Sequence, residues 1–190
     1  MSLNFVLDQM TAEERVAAAL RAKQAGRNFE TSPRIIFLVG APGSGKSTWR
    51  AKYLANNLDR ETTVVSSDDM IENYAASLGL NYTQVYSKID MDSLDKLCMK
   101  ALQDAVAAGR DVIIDRTNMR DKPRSRFLSQ VTKKYTRVAI LFCADCDTIR
   151  RRLIDRERET GKHIPYKVVQ GMLATYQAPT FEKFDLIGVN

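Results

Sequence analysis

An α/β fold, with a parallel sheet covered by helices on both faces, is what this sequence predicts. Three observations carry that expectation. Short apolar runs of strand length, "RIIFLV", "TTVV", "DVII" and "RVAILF", are nearly unbroken by polar residues, as in strands buried on both sides. They alternate with longer stretches that have helical apolar spacing, the pattern of a parallel sheet with crossover helices. A glycine-rich loop joins the first run directly to a helix, at the strand end where open sheets of this kind bind ligands.

The 190 residues, 44% hydrophobic, suffice for one domain with a full core and are too few for two ordinary ones. A boundary is expected near residue 32, between an N-terminal helical extension (1–32) and the main domain (33–190). In the extension, "TAEERVAAALRAKQAG" reads as a helix, with Thr11 and Glu14 as a capping box and Gly26 as its end. "PRIIFLVG" follows as the first strand, and the loop's helix is expected to run to about Leu58. "TTVVSS" is the second strand, and the tyrosine-containing stretch after it reads as irregular. "DSLDKLCMKALQDAVAAG" puts Leu94, Leu97, Cys98, Ala101, Leu102, Ala105 and Val106 on one helical face and ends at Gly109.

"DVIID" is the third strand, "DKPRSRFLSQVTKKY" a helix opened by Asp121 and Pro123, and "RVAILFC" the fourth strand. An arginine-rich helix then starts near Thr148 and breaks at "TGKHIP". A further helix carries Val169, Met172, Leu173 and Tyr176, and "DLIGV" is a short last strand. No internal repeat and no low-complexity segment is present.

Composition excludes several classes. No apolar run approaches the roughly 18 residues of a membrane span, so no membrane partner is expected. The start, "MSLNFVLDQM", has neither a basic leader nor an apolar segment, which leads to the expectation of a cytoplasmic protein, in the host cytoplasm if the source is a phage. Three cysteines, Cys98, Cys143 and Cys146, fit a reducing compartment and form no disulfide framework. Cys143 and Cys146 stand as C-x-x-C, but a zinc site would need ligands from distant Cys98 and from His163, the single histidine. A net charge of +6 favours polyanions, although spread-out positive charge is usually solvated surface.

The chemistry lies first in "GAPGSGKST". Gly40, Ala41, Pro42, Gly43, Ser44, Gly45, Lys46, Ser47 and Thr48 satisfy the phosphate-binding pattern G-x-x-x-x-G-K-[ST] between a strand and a helix. Its N–H groups and helix N-terminus suit a nucleoside triphosphate, ATP or another, with Lys46 on the β and γ phosphates and Ser47 on Mg²⁺. Phosphoryl transfer to a hydroxyl also needs carboxylates at the same rim. "VVSSDD" places Asp68 and Asp69 there, and "VIID" places Asp115. Arg152 and Arg156, four apart on one helical face, with Arg158 nearby, suit a lid over about 150–164 that stabilises phosphoryl charge. A solvated helix, with Asp155 and Glu159 pairing to neighbouring arginines, is the plainer reading of the same stretch.

Taken together, "GAPGSGKSTW", "SSDD", "VIIDRTN", "RERETGKHIP" and "TYQAPTFEKFD" come in the order of the polynucleotide 5′-hydroxyl kinase family, which the chain resembles from about Arg34 to Asp185. The resemblance implies a P-loop kinase with an arginine-bearing lid, which phosphorylates 5′-hydroxyl ends of RNA or DNA in nucleic-acid repair using ATP and Mg²⁺. It implies donor contacts from the loop, Arg156 and Arg158; metal contacts from Ser47 and Asp115; Asp68 as the base on the 5′-hydroxyl; and Arg124 near the acceptor strand, with Asn118 as a further acceptor contact. Lys46, Asp68, Asp115 and Arg156 are thereby the expected catalytic set.

The sequence also departs from the family. Some members carry an arginine three residues after the base aspartate that grips the acceptor's phosphate; this chain has Ile71 there, so that grip is expected from Arg120, Lys122, Arg124 or Arg126, and Asp115 is separated from Thr117 by Arg116. Many members also have a phosphatase domain; the expectation here is a separate phosphatase or ligase as partner, with homo-oligomerisation left open. Rival readings are a kinase of a nucleoside, sugar or antibiotic, and a non-catalytic nucleotide-binding module.

Overall fold

In the computed structural model, described for residues 11–24, 26, 28 and 31–190, the expected alternation is present and organises one five-stranded sheet. The strands are β1 (Arg34–Val39), β2 (Thr62–Val65), β3 (Asp111–Ile114), β4 (Thr136–Leu141) and β5 (Leu186–Val189). All neighbouring pairs are parallel, in the order β2-β3-β1-β4-β5. Every residue of β1 and β3 is buried, which is why these runs lack the polar alternation of a half-exposed strand.

The two faces of β1 divide the core. Ile35, Phe37 and Val39 pack with Cys98, Leu102 and Phe127 on one side, while Ile36 and Leu38 pack with Trp49, Tyr53 and Ala18 on the other. Cys98 and Leu102 come from α5 (Met91–Ala107) and Phe127 from α6 (Asp121–Leu128); Trp49 and Tyr53 come from α2 (Lys46–Ala55) and Ala18 from α1 (Ala12–Gln24). Trp49 is therefore core, stacked on Tyr53 with ring centroids 4.9 Å apart. In α1 the Thr11–Glu14 capping box forms as read, and Ala18 ties the helix to the sheet.

Several boundaries differ from the sequence reading. α2 ends at Ala55 and α6 at Leu128, both earlier than expected. Of the α5 stripe, Leu94, Cys98, Leu102 and Ala105 are buried, but Leu97 is 59% exposed, because the narrow contact with the sheet leaves the edge of the stripe outside. The stretch read as irregular folds into α3 (Ser67–Ser77) and α4 (Tyr82–Tyr86). Each start has a side-chain cap: Ser66 Oγ accepts from Asp69 N, and Asn81 forms a capping box with Gln84. α7 (Cys146–Thr160) begins two residues before Thr148, capped by Asp145, and ends at Gly161 with φ 70°. α8 (Tyr166–Ala174) buries Val169 and stops short of Tyr176, which is exposed.

Candidate active site

The carboxyl ends of β1, β2 and β3 open onto one cavity of about 640 Å³. The phosphate loop forms its floor, the first turn of α3 and the residues after β3 one wall, and α7 with the following loop the opposite wall. The loop's shape requires glycine, as Gly40 and Gly45 show. A Cβ on Gly40 would come within 2.7 Å of Ser44 Oγ and 2.9 Å of Phe142 Cβ, and Gly45 turns into α2 at φ 106°. Lys46 Nζ donates to the carbonyls of Gly40 (2.8 Å) and Ala41 (2.7 Å). Burial, only partly offset by the Asp115 and Asp68 carboxylates, pulls its ammonium down to about 8.

Asp68 sits in the first turn of α3. Tyr82 Oη donates to its Oδ1 at 2.9 Å, and Lys162 Nζ lies 2.7 Å from its Oδ2. Burial raises the Asp68 carboxyl, but the Lys162 ammonium and the bonds from Lys162 and Tyr82 outweigh it and hold the group below the ordinary value. Asp115 behaves oppositely. Burial pushes it up despite Arg50 and Lys46 nearby. Arg50 Nη1 bridges Asp69 (2.7 Å) and Asp115 (2.8 Å), joining the two carboxylate segments.

The α7 wall is seated on the loop through Ile149 and Leu153, which pack with Ala41 and Val169. Arg152 Nη1 donates to the Gly43 carbonyl at 3.0 Å, so one arginine of this helix already reaches the phosphate loop. Arg156 also lines the cavity and approaches Glu72 at 3.5 Å.

The expected site residues thus divide. Lys46, Ser47, Thr48, Asp68, Asp115 and Arg156 line one cavity with Pro42, Gly43 and Gly45. Arg158 does not line this cavity and instead lines a separate groove along α7 with Asp147 and Arg151. Of the expected acceptor contacts, Arg124 and Asn118 are corrected by burial, and Arg120 and Arg126 stand outside the cavity. Arg124 is fully buried and donates to the carbonyls of Asn118 and Ala178. Asn118, also buried and held at φ 50°, donates to the carbonyls of Leu38, Ile114 and Arg116. Arg126 pairs with Asp95 on the surface, and Arg120 precedes α6 without lining the cavity. These four hold or flank the loop after β3 and do not reach the cavity. Ile71 is core, 1% exposed, packed with Tyr82 and Leu94.

Two residues of the site escaped the sequence reading. Arg50 stands four residues after Lys46, one turn along the same helix face, and that spacing is a signal for it. Lys162 lay in plain view in "GKHIP", but nothing local marks its buried position. His163 is half exposed with Nδ1 2.9 Å from Glu157 Oε1, and it lines the cavity from the loop after α7. Cys143 and Cys146 are exposed free thiols, and among the described residues no cluster of three or more His, Cys, Asp or Glu side chains could hold a metal. No helix among the described residues is long and apolar enough to cross a membrane.

A parallel sheet of this order, with a lysine-bearing phosphate loop facing carboxylates and arginines across one cavity, defines a P-loop kinase-like nucleotide-binding domain. The chain belongs to the AAA domain family AAA_33, whose model matches residues 35–179. It is similar to heterogeneous nuclear ribonucleoprotein U-like protein 2 of Mus musculus, 26% identical over 176 residues that make up 91% of this chain and 22% of the relative. The human protein of that name matches equally, so the chain spans about a fifth of the length of these relatives.

Among solved structures, a chain of the Pnkp1/Rnl/Hen1 RNA repair complex aligns with a TM-score of 0.60 and 21% identity, over 76% of this chain and 44% of that one. The PezAT toxin–antitoxin system of Streptococcus pneumoniae aligns with a TM-score of 0.61 and 16% identity, over 97% and 78%. A gluconokinase from Sinorhizobium meliloti 1021 gives 0.50 and 17%, over 83% and 81%. At these identities the likeness establishes the P-loop kinase fold and leaves the acceptor open.

Proposed function

We propose that the chain is an ATP-dependent polynucleotide 5′-hydroxyl kinase, with residues 33–190 as the kinase unit. The observation that carries the reading is that Asp68, Asp115, Arg152, Arg156 and Lys46 all line one cavity. That is a donor site and a hydroxyl-activating carboxylate in one enclosure. The ordered family motifs support nucleic acid as the acceptor.

In this reading the 5′-hydroxyl oxygen attacks the γ-phosphorus in line while the bond from that phosphorus to the β,γ-bridging oxygen breaks. The hydroxyl proton passes to Asp68 and the nucleoside diphosphate leaves as the anion. An Asp68 carboxyl held below its ordinary value suits a loose transition state, in which the hydroxyl is oriented first and gives up its proton late. Lys46, Arg152 and Arg156 neutralise charge on the phosphoryl oxygens. Ser47 and Asp115 are hard oxygen donors of the kind Mg²⁺ takes and would hold the ion, which would supply neutralisation of phosphate charge.

A kinase of a small hydroxyl compound is the second reading. The burial of Arg124 favours it, since that guanidinium is held by the carbonyls of Asn118 and Ala178 and does not grip an acceptor strand. Incubation with γ-labelled ATP and a panel of 5′-hydroxyl RNA and DNA oligonucleotides, free nucleosides and sugars separates the two. Labelled oligonucleotide, with a rate falling steeply as salt rises, is the expected result. Label on small molecules alone refutes it, and label on nothing leaves a nucleotide-binding module.

A further inference from the structure

We propose that Lys162 is a positioning residue for Asp68: from the loop after α7 it orients that carboxylate, so that docking of the α7 wall and readiness of the hydroxyl-activating group are one event. This inference rests on the kinase reading above.

Lys162 is unusual among lysines in having a side chain only 1% exposed. An ammonium so buried needs partners, and three are in place. Its Nζ lies 2.7 Å from Asp68 Oδ2, 3.0 Å from Glu72 Oε1 and 3.8 Å from the centroid of the Tyr82 ring. Tyr82 closes the arrangement by donating its hydroxyl to the other oxygen of Asp68, Oδ1. Both carboxylate oxygens are therefore engaged, which removes the side chain's torsional freedom while each oxygen keeps a lone pair for an incoming hydroxyl.

The lysine is delivered by a loop that is itself tied down. Thr83 Oγ1 donates to the Gly161 carbonyl at 2.6 Å and accepts from His163 N at 3.1 Å, so the residues on both sides of Lys162 dock on α4. Arg156, one turn before the end of α7, approaches the same Glu72. Five groups beyond α3 face Asp68: Lys162 from this loop, Tyr82 from α4, Arg156 from α7, Lys46 from α2 and Asp115 after β3. Asp69 and Glu72 stand on Asp68's own helix, one neutralised by Arg50 and the other by Lys162. Of the cations, Lys162 alone makes direct contact with Asp68 among the described pairs.

The test is a carboxyl NMR titration of Asp68 in the full chain labelled with ¹³C-aspartate, compared among wild type, Lys162→Met and Lys162→Arg. Wild type is expected to titrate below the ordinary carboxylate range. Lys162→Met raises the midpoint by about one unit or more, and Lys162→Arg, which keeps the charge, raises it less. With an acceptor from the panel above, Lys162→Met lowers kcat about tenfold to a hundredfold, leaves the nucleotide Kd within about twofold, and moves the acid limb of kcat up in step with the carboxyl titration. Lys162→Arg recovers most of the rate.

An unmoved Asp68 titration in folded Lys162→Met overturns the proposal, as does an unchanged kcat in an active enzyme. Should Lys162→Met not fold, Tyr82→Phe, which removes one hydrogen bond from the same carboxylate, is expected to raise the midpoint by a smaller amount, and no rise overturns the arrangement. The titration needs no acceptor. A chain that transfers phosphate to nothing therefore sinks the kinase reading while the contact between Lys162 and Asp68 is still decided by NMR.

Discussion

Nucleotide binding should draw a proton onto Lys46, and the amount can be worked out from its surroundings. In the free protein the ammonium is buried against two backbone carbonyls and titrates at about 8, down from 10.5. A triphosphate placed against it restores the lost counter-charge and returns the group to the fully protonated state. At pH 8.5 roughly three quarters of free Lys46 is neutral, so about 0.8 of a proton is taken up per nucleotide bound; at pH 7 the uptake is about 0.1. By linkage, affinity falls about 30-fold between pH 7 and pH 9.5, equivalent to about 2 kcal/mol.

The sign for stability runs the other way. A lysine depressed in the fold costs the free protein about 3 kcal/mol below pH 8, and that cost is relieved as pH rises from 8 to 10.5. Titration calorimetry of an ATP analogue at pH 8.5, in two buffers of different ionisation enthalpy, measures the uptake directly. Phosphate ionisation is complete at that pH, so it adds little. Uptake below about 0.2, or the same uptake in Lys46→Met, would refute the assignment of a buried, partly neutral lysine to the phosphate site.

Three further outcomes are expected. Asp68→Asn should lower transfer by about a hundredfold or more while nucleotide affinity, by calorimetry, stays nearly unchanged; near-normal turnover would show that the proton goes elsewhere. Arg124→Ala should reduce stability to urea by about 3 kcal/mol, because its guanidinium holds the carbonyls of Asn118 and Ala178 inside the fold. Its effect should fall on folding and not on acceptor affinity. Arg50→Ala removes the cation beside Asp115, whose carboxyl burial already raises, and pushes it further up. The folded state then binds a proton the unfolded state does not, so stability falls as pH rises through that window. Urea unfolding should show a larger loss at pH 7 than at pH 4.

What the sequence by itself determined are the features that depend on near neighbours along the chain. The phosphate loop is eight consecutive residues whose glycines, lysine and serine act as one backbone shape. The strands announce themselves because burial on both faces leaves no polar alternation. Asp68 and Asp115 could be placed on the ligand rim because each follows a strand, and parallel strands end together. The capping signals at Ser66 and at Asn81 with Gln84 were equally local, and they account for the two helices where an irregular stretch was expected.

Tertiary structure alone decided which charges meet. Arg50 and Asp115 are 65 residues apart and Lys162 and Glu72 are 90 apart, and no periodicity relates them. Arg124 and Arg126 are two residues apart in one arginine-rich helix, yet one is fully buried against backbone carbonyls and the other paired on the surface. Side-chain type sets what a group can bond to; burial and the arrival of a distant partner set whether it binds a ligand or holds the fold. That is why the phosphate-loop side of the cavity was legible from "GAPGSGKST", while the wall on which Lys162 is seated against Asp68 required the folded chain.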